Sequence, residues 1–430
     1  MLDQLNPSTK EDASLYRFLK FYLLLVIYEG IFRKWVQFSS VDIFYFFRDL
    51  ITFLFIFKLV LLGRHKSIGN PNMRINLNIL FSIFLLYGFI AVLFQNIPLI
   101  VVIFGLRNYI SIFLLIYLCS FIRDKSQIFM RVYRIFLGSL LVQLPVVLLQ
   151  VVSKPDSFIN KTSWGLGASV FTSGEVVRPP GTFTNALGLG YFILIVYGLI
   201  LSSYLKGFDT RKAANINLIA LFLLMIIIAI SGSRTVLLGV SLTTILFLII
   251  RIKKLILGTE NSSTSKRSSL LIFISLSSLV FFVLYQLADV ISAFIFRLQY
   301  QTEGGVGTRL RIIDSIFSYQ ISGVSLFGSG IGTRHQSALA LGWIQPWVEN
   351  ESVRWSAEIG ILGLLLVVLR QIWISYLAFD VVFNKVCYSH LAPMIFVPLG
   401  PFLVSGISTQ PTIQGMSAIM IIFIVFRKYI

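Results

Sequence analysis

The chain is made of apolar blocks, each long enough to cross a lipid bilayer. Each runs roughly 17–25 residues with few charges, the length that spans a hydrocarbon core of ~30 Å at a helical rise of ~1.5 Å per residue. Approximate limits are 16–32, 41–62, 75–95, 99–122, 128–152, 182–205, 215–230, 235–251, 269–289, 359–379, 391–405 and 412–426. In lipid a spanning segment must satisfy its own backbone N–H and C=O groups, so blocks of this length read as helices. The expected fold is all-α: a polytopic helical membrane protein of about twelve transmembrane helices, residues 1–430 forming a single integral membrane domain. Composition agrees, because 57% hydrophobic and 13% charged residues leave too little charge to cover a soluble surface of this size. Pro393, Pro398 and Pro401 predict a kinked or partly unwound eleventh span.

The formal net charge is +18. The basic residues are scattered between apolar blocks and form no stripe, which argues against a nucleic-acid partner. Loops facing anionic lipid account for most of them. With the N-terminus inside, 21 lysines and arginines fall on the inner side and 11 on the outer, so both termini are expected in the cytoplasm. The first block lacks a small-residue cleavage pattern and reads as a retained anchor. Cys119 and Cys387 are expected as free thiols, and without a CxxC or Cys/His cluster a structural metal is not expected. The topology leaves two long outward loops, 153–181 and 290–358, as the expected carriers of the site. No internal repeat is visible, which gives no support to a transporter built from inverted halves.

Three outward arginines stand out. Arg178 opens RPPGTFTNALGLG just before a span, Arg234 closes SGSR between two apolar spans, and Arg309 lies in GTRLRIID ahead of Gly328, Gly330 and Gly332. A guanidinium is always charged, and its planar fork matches phosphate oxygens in pairs. Three converging at one membrane surface would suit a pyrophosphate. The plain alternative for each is a side chain snorkelling to lipid headgroups. Arg234 resists it best, since an unpaired charge at bilayer depth costs ~2.5–3.5 kcal/mol. Arg48, Asp49 and Arg107 lie inside apolar blocks and either pair across helices or line a polar cavity.

The acidic candidates lie in WVENESVRWSAEIGILG. Glu349, Glu351 and Glu358 are outward acids in a protein with only 18 Asp and Glu. Helical spacing from Asn350 would put Glu351, Arg354 and Glu358 on one face. A carboxylate at the apolar boundary, its proton affinity raised by desolvation, can take a proton from a sugar hydroxyl. A structural Glu–Arg pair closing the loop is an equal alternative. His335, outward in a Gly-rich loop, either takes part in proton transfer or, the favoured reading, is an ordinary loop residue, and GSGIG at 328–332 is no dinucleotide fingerprint, having no strand–helix unit around it. Trp343, Trp347 and Trp355 either stack on sugar faces or pack against the bundle.

RPPGTFTNALGLGYF (178–192), SGSRTVLLG (231–239), GTRLRIIDSI with LFGSGIG (307–332) and ENESVRWSAEIGILGLLL (349–366), in this order, resemble the O-antigen ligase and polymerase superfamily of bacterial membrane proteins. The resemblance implies a lipid-phosphate-sugar glycosyltransferase. Such an enzyme takes a glycan from undecaprenyl pyrophosphate and passes it to an acceptor glycan on the outer face of the bacterial inner membrane. It maps the pyrophosphate-binding arginines onto Arg178, Arg234 and Arg309, with Arg311, Asn350, Arg354 and Glu358 in support. It implies no cofactor, no nucleotide sugar and no essential metal, and a chain-length regulator as a further partner. The family often carries His-Asn eleven residues before the Gly that begins its last Gly-rich turn; counting back from Gly360, this chain has Glu349-Asn350. The departure favours an inverting repeat-unit polymerase using Glu349 or Glu351 as base over a ligase to lipid A core or protein. A flippase for lipid-linked oligosaccharide is the alternative from another class.

Overall fold

The computed structural model describes residues 7–36, 43–61, 71–119, 125–161, 172–173, 176–206, 211–256, 326–335, 338, 342–343, 351–369, 372, 412–413 and 415–417. Nine α-helices are delimited among them: α1 (Pro7–Trp35), α2 (Ile43–Leu61), α3 (Pro71–Phe94), α4 (Leu99–Cys119), α5 (Lys125–Val152), α6 (Ala186–Lys206), α7 (Arg211–Ser231), α8 (Arg234–Ile256) and α9 (Glu351–Ile359). Residues 361–369 continue helically beyond Gly360. The only strands among the described residues are a two-residue ladder, β1 (Thr172–Ser173) antiparallel to β2 (Val176–Val177). Apart from this short ladder the regular structure among the described residues is helical, and the protein is a helical membrane protein as the apolar blocks predict.

Helices α2 to α8 each begin and end within a few residues of an apolar block. Helix α1 starts nine residues before its block because PSTKEDASL, though polar, is helix-competent and opens with a proline, favoured at a first helical position. Among the described residues three segments are long and apolar enough to cross a membrane, Met130–Val152, Ala186–Leu205 and Lys212–Ser231; Phe81–Phe94, Leu99–Ser111 and Val236–Ile252 are shorter apolar helices. The spans read at 269–289 and 391–405 lie outside the described residues, as do most of 290–358 and Cys387.

Helix α6 is the centre of the bundle. Leu189 and every residue from Tyr191 to Val196 are buried, which is why it is apolar on all sides. It packs on α7 and α8, while α5 lies against α7 and α1 against α2 and α5. On the outer helices the apolar side chains face away from the protein, among them Phe53 and Phe57 of α2, Phe89 of α3, Leu141 of α5 and Phe222 of α7. A soluble fold would bury these; a bilayer solvates them. The described part of the last block joins the same core through Ile413 and Met416, and the hydroxyls of Ser417 and Tyr191 are hydrogen-bonded.

Candidate functional site

Polar structure gathers where α1 and α5 end and α6 begins. The RPPGT turn is clamped there by two glutamines of α5, seven residues and so two helical turns apart. Gln150 takes the Gly181 N–H at 2.7 Å and gives an N–H to the Gly181 carbonyl at 3.0 Å. Gln143 accepts from the Thr182 N–H at 3.0 Å and donates to the Thr182 hydroxyl, which itself donates to the Ile27 carbonyl of α1 at 2.6 Å. Gly181 has φ +60°, a left-handed conformation that suits glycine, and a Cβ on Gly30 of α1 would strike the backbone of Thr182–Thr184. Lys34 Nζ, fully buried, donates to the Gly181 carbonyl at 2.6 Å. Arg178, half-buried, stands at the head of this turn.

The second structured element is the glycine loop from Gly328 to His335. Its carbonyl at Gly328 accepts from Gln95, just past α3, at 3.2 Å, and Gly332 rests on α4, where a Cβ on Gly105 would lie 2.5 Å from the Gly332 Cα. Gly332 has φ +89°, so glycine is needed both for its conformation and for the approach. The loop is closed onto α9 by Glu358. This buried carboxylate accepts the Gly332 N–H at 2.9 Å, the Arg334 N–H at 2.8 Å and the Tyr109 hydroxyl of α4 at 2.7 Å. Burial pushes its carboxyl above the usual carboxylate range, against the opposing pull of Arg354 and these three donors. His335 is pushed down to about 3 by burial first, then by the Arg354 and Arg107 charges, so its imidazole is neutral at pH 7.

Charge pairs join α1, α2 and α4. Glu29 bonds Arg33 on its own helix and Arg48 of α2, each at 3.1 Å, and Arg107 Nε meets Asp49 Oδ2 at 2.5 Å. Arg48, Asp49 and Arg107 therefore pair across helices, one of the two readings open to them. Arg107 also acts on His335, which links these pairs electrostatically to the glycine loop and α9.

The structure thus places Arg178 on a rigid turn and starts α9 at Glu351, with Arg354 and Glu358 one and two turns on. Glu358 is committed to holding the glycine loop, close to the structural alternative weighed for it, though its partners are backbone N–H groups and a tyrosine. Trp355 packs edge-on against Tyr109 and Phe84 in a buried cluster and so follows the packing alternative. Arg234 is the first residue of α8, after the turn through Gly232. Arg309, Arg311, Trp347, Glu349 and Asn350 lie outside the described residues. Sequence reading passed over Lys34, Gln143 and Gln150. The glutamines carried a usable signal, since two amides seven residues apart on an apolar span share one face and need partners there. Among the described residues no three of His, Cys, Asp and Glu stand together as metal ligands do.

These features define a multi-pass helical membrane protein with two rigid polar turns set among buried charges. Residues 219–368 match the family model for O-antigen ligase, consistent with the O-antigen ligase/polymerase superfamily. The matched segment runs from α7 through α8 to the helix after α9, and takes in Arg234, Arg309, the glycine loop and Glu349–Glu358. It supports a glycosyltransferase-like function of the ligase or polymerase type. No curated protein matches the chain.

Proposed function

We propose that the protein is a polysaccharide repeat-unit polymerase. It transfers a growing glycan from undecaprenyl pyrophosphate to an acceptor glycan hydroxyl on the outer face of the bacterial inner membrane, with both termini in the cytoplasm. The observation that carries this reading is the O-antigen ligase match over 219–368, which includes two of the three candidate arginines and both candidate bases. Arg178, Arg234 and Arg309 hold the donor's diphosphate. The acceptor oxygen attacks the anomeric carbon as the bond from that carbon to the phosphate oxygen breaks. The electron pair leaves on the pyrophosphate, whose growing charge the guanidinium groups stabilise. The hydroxyl proton passes to Glu349 or Glu351. A single displacement inverts the anomeric centre, and the anionic leaving group needs no general acid.

Glu349, where the family often has histidine, favours the polymerase over a ligase to lipid A core or protein. The concentration of arginines and acids outside the membrane, together with the missing repeat, favours an enzyme over a flippase.

The test is the purified protein in lipid nanodiscs with a synthetic undecaprenyl pyrophosphate-linked repeat unit. A ladder of products spaced by one repeat is expected. Arg234→Lys keeps the charge but loses the fork, and should shorten and thin the ladder at equal protein level. A normal ladder from that variant removes the arginine scheme. Transfer of a single glycan to lipid A core, with no ladder, replaces polymerase by ligase.

A further inference from the structure

Four cations gather at one end of the pair α1 and α5. Arg17, Lys20 and Arg134 are exposed and Arg131 is half-buried, and none of them makes a hydrogen bond or an ion pair among the described residues. The Arg131 guanidinium lies over the Tyr16 ring, 4.8 Å from its centre. That contact is near the start of both helices, while Lys34 and Gln150 share the Gly181 carbonyl near their ends, so the two run side by side in the same direction. Lys20 is one turn on from Tyr16 and Arg134 one turn on from Arg131, which sets the cations at about one depth. That depth is the edge of the hydrocarbon. The apolar blocks begin at 16 and 128, and Phe21 and Met130 beside the cations are exposed apolar side chains. The acids nearest in the chain, Glu11, Asp12, Asp124 and Asp209, all precede the apolar block of their helix by four positions or more. The neighbouring helices bring further cations to this end. Lys58 lies in the last turn of α2, whose Phe55 stacks on Phe18, and Lys212 in the first turn of α7, whose Asn217 bonds the Tyr133 hydroxyl.

Beyond the cations α5 turns an apolar stripe outward. Gly138, Leu141, Val142 and Pro145 follow Arg134 on one face, all exposed, and a Cβ on Gly138 would meet nothing within 4 Å. From Arg134 to Pro145 the helix rises ~16 Å, about one leaflet of a ~30 Å hydrocarbon core. We propose that this end of the α1–α5 pair is a binding site for an anionic phospholipid, its phosphate held by Lys20, Arg131 and Arg134 and an acyl chain lying along Gly138–Pro145. The surface asks for one molecule that is anionic at one end and apolar over the length of a leaflet. A water-soluble anion meets only the first demand, and a zwitterionic lipid carries a cation that the cluster repels. The Tyr16 ring steadies Arg131 through its face and leaves the guanidinium N–H groups to the phosphate. At their far ends the same two helices clamp the RPPGT turn, so a lipid that bridges them here steadies the pair on which that turn rests. This site stands independently of the polymerase reading; with both termini in the cytoplasm it faces the inner leaflet.

The experiment adds phosphatidylglycerol or phosphatidylcholine to the full chain in a neutral detergent and counts bound lipid by native mass spectrometry. Phosphatidylglycerol should fill the first site about tenfold more tightly than phosphatidylcholine, or better. Arg131→Gln with Arg134→Gln should weaken that first binding by about 10–30-fold, whereas Arg131→Lys with Arg134→Lys, which keeps both charges, should stay within about threefold of wild type. Lys20→Gln, a single change on the other helix, should weaken it about fivefold, and Tyr16→Leu about two- to fivefold. Lys253→Gln with Lys254→Gln takes as much charge from the end of α8 and should leave the first site unchanged. If neither the α5 pair nor Lys20→Gln weakens phosphatidylglycerol binding, or the α8 pair weakens it as much, the attraction is spread over the surface and the α1–α5 site is refuted. Displacement of phosphatidylglycerol by an equal amount of polyprenyl phosphate also overturns the assignment, by making the carrier lipid the occupant.

Discussion

Replacing Glu358 with alanine should loosen one end of the bundle without touching the apolar core. The carboxylate accepts three hydrogen bonds, from the Gly332 and Arg334 N–H groups and from the Tyr109 hydroxyl, all at 2.7–2.9 Å. Alanine leaves these donors without their acceptor, at ~1–3 kcal/mol for each that water cannot reach. Removing the carboxylate also removes its own desolvation cost, which burial makes substantial here. The net expectation is a loss of ~2–4 kcal/mol. Glu358→Gln keeps one acceptor oxygen but turns an amide N–H₂ toward a donor, for roughly half that loss. Tyr109→Phe removes a single donor and should cost ~1 kcal/mol. Since large membrane proteins often unfold irreversibly, the measurement is the apparent melting temperature in one detergent at one scan rate. The expected order is Glu358→Ala lowest, then Glu358→Gln, then Tyr109→Phe, then wild type. If Glu358→Ala melts with wild type, the carboxylate does not hold the glycine loop, and Glu358 returns to the pool of candidate bases.

Stability should rise with pH over two adjoining windows. His335 binds its proton less readily folded, at about 3, than unfolded, near 6.5, so the unfolded chain binds more protons between these values and stability is lost as pH falls through them. Lys34 behaves likewise between about 7 and its ordinary 10.5, so melting temperature should keep rising above neutrality in wild type and flatten there in Lys34→Gln. Gly105→Ala puts a Cβ 2.5 Å from the Gly332 Cα and should destabilise by ~1–3 kcal/mol, seen as a lower melting temperature. Of Glu349→Gln and Glu351→Gln, one should lower kcat by ~10²–10⁴ with little change in donor affinity while the other stays near wild type, which steady-state assay of the two variants decides. Arg178→Lys keeps the charge but loses the fork and should raise the donor Kd, which equilibrium binding checks.

Helix positions were legible in the sequence because lipid imposes one rule on every span. An apolar block interrupted by basic or turn residues has no other way to satisfy its backbone, so α2 to α8 fall close to their blocks. The rule marks apolar length only, and the helical run before Tyr16 was therefore missed. The interior arginines were legible for the same reason. A charge within an apolar block needs a partner, and Arg48 and Arg107 have Glu29 and Asp49.

The chemistry at the ends of the helices was less legible, because its pairings join residues far apart in the chain. Glu358 finds Tyr109 249 positions away, and Lys34 finds Gly181 at a separation of 147. Spacing along one helix put Arg354 on the face of Glu358, and its charge does act on that carboxylate; the three donors from the glycine loop and Tyr109 lie far off in the chain and had no such signal. Lys34, counted in the sequence as one more outward cation, is fully enclosed. The difference follows from where water reaches. A cation in solvent needs no partner, but Lys34, beside a turn held by two glutamine clamps, has lost its water and takes the Gly181 carbonyl in its place.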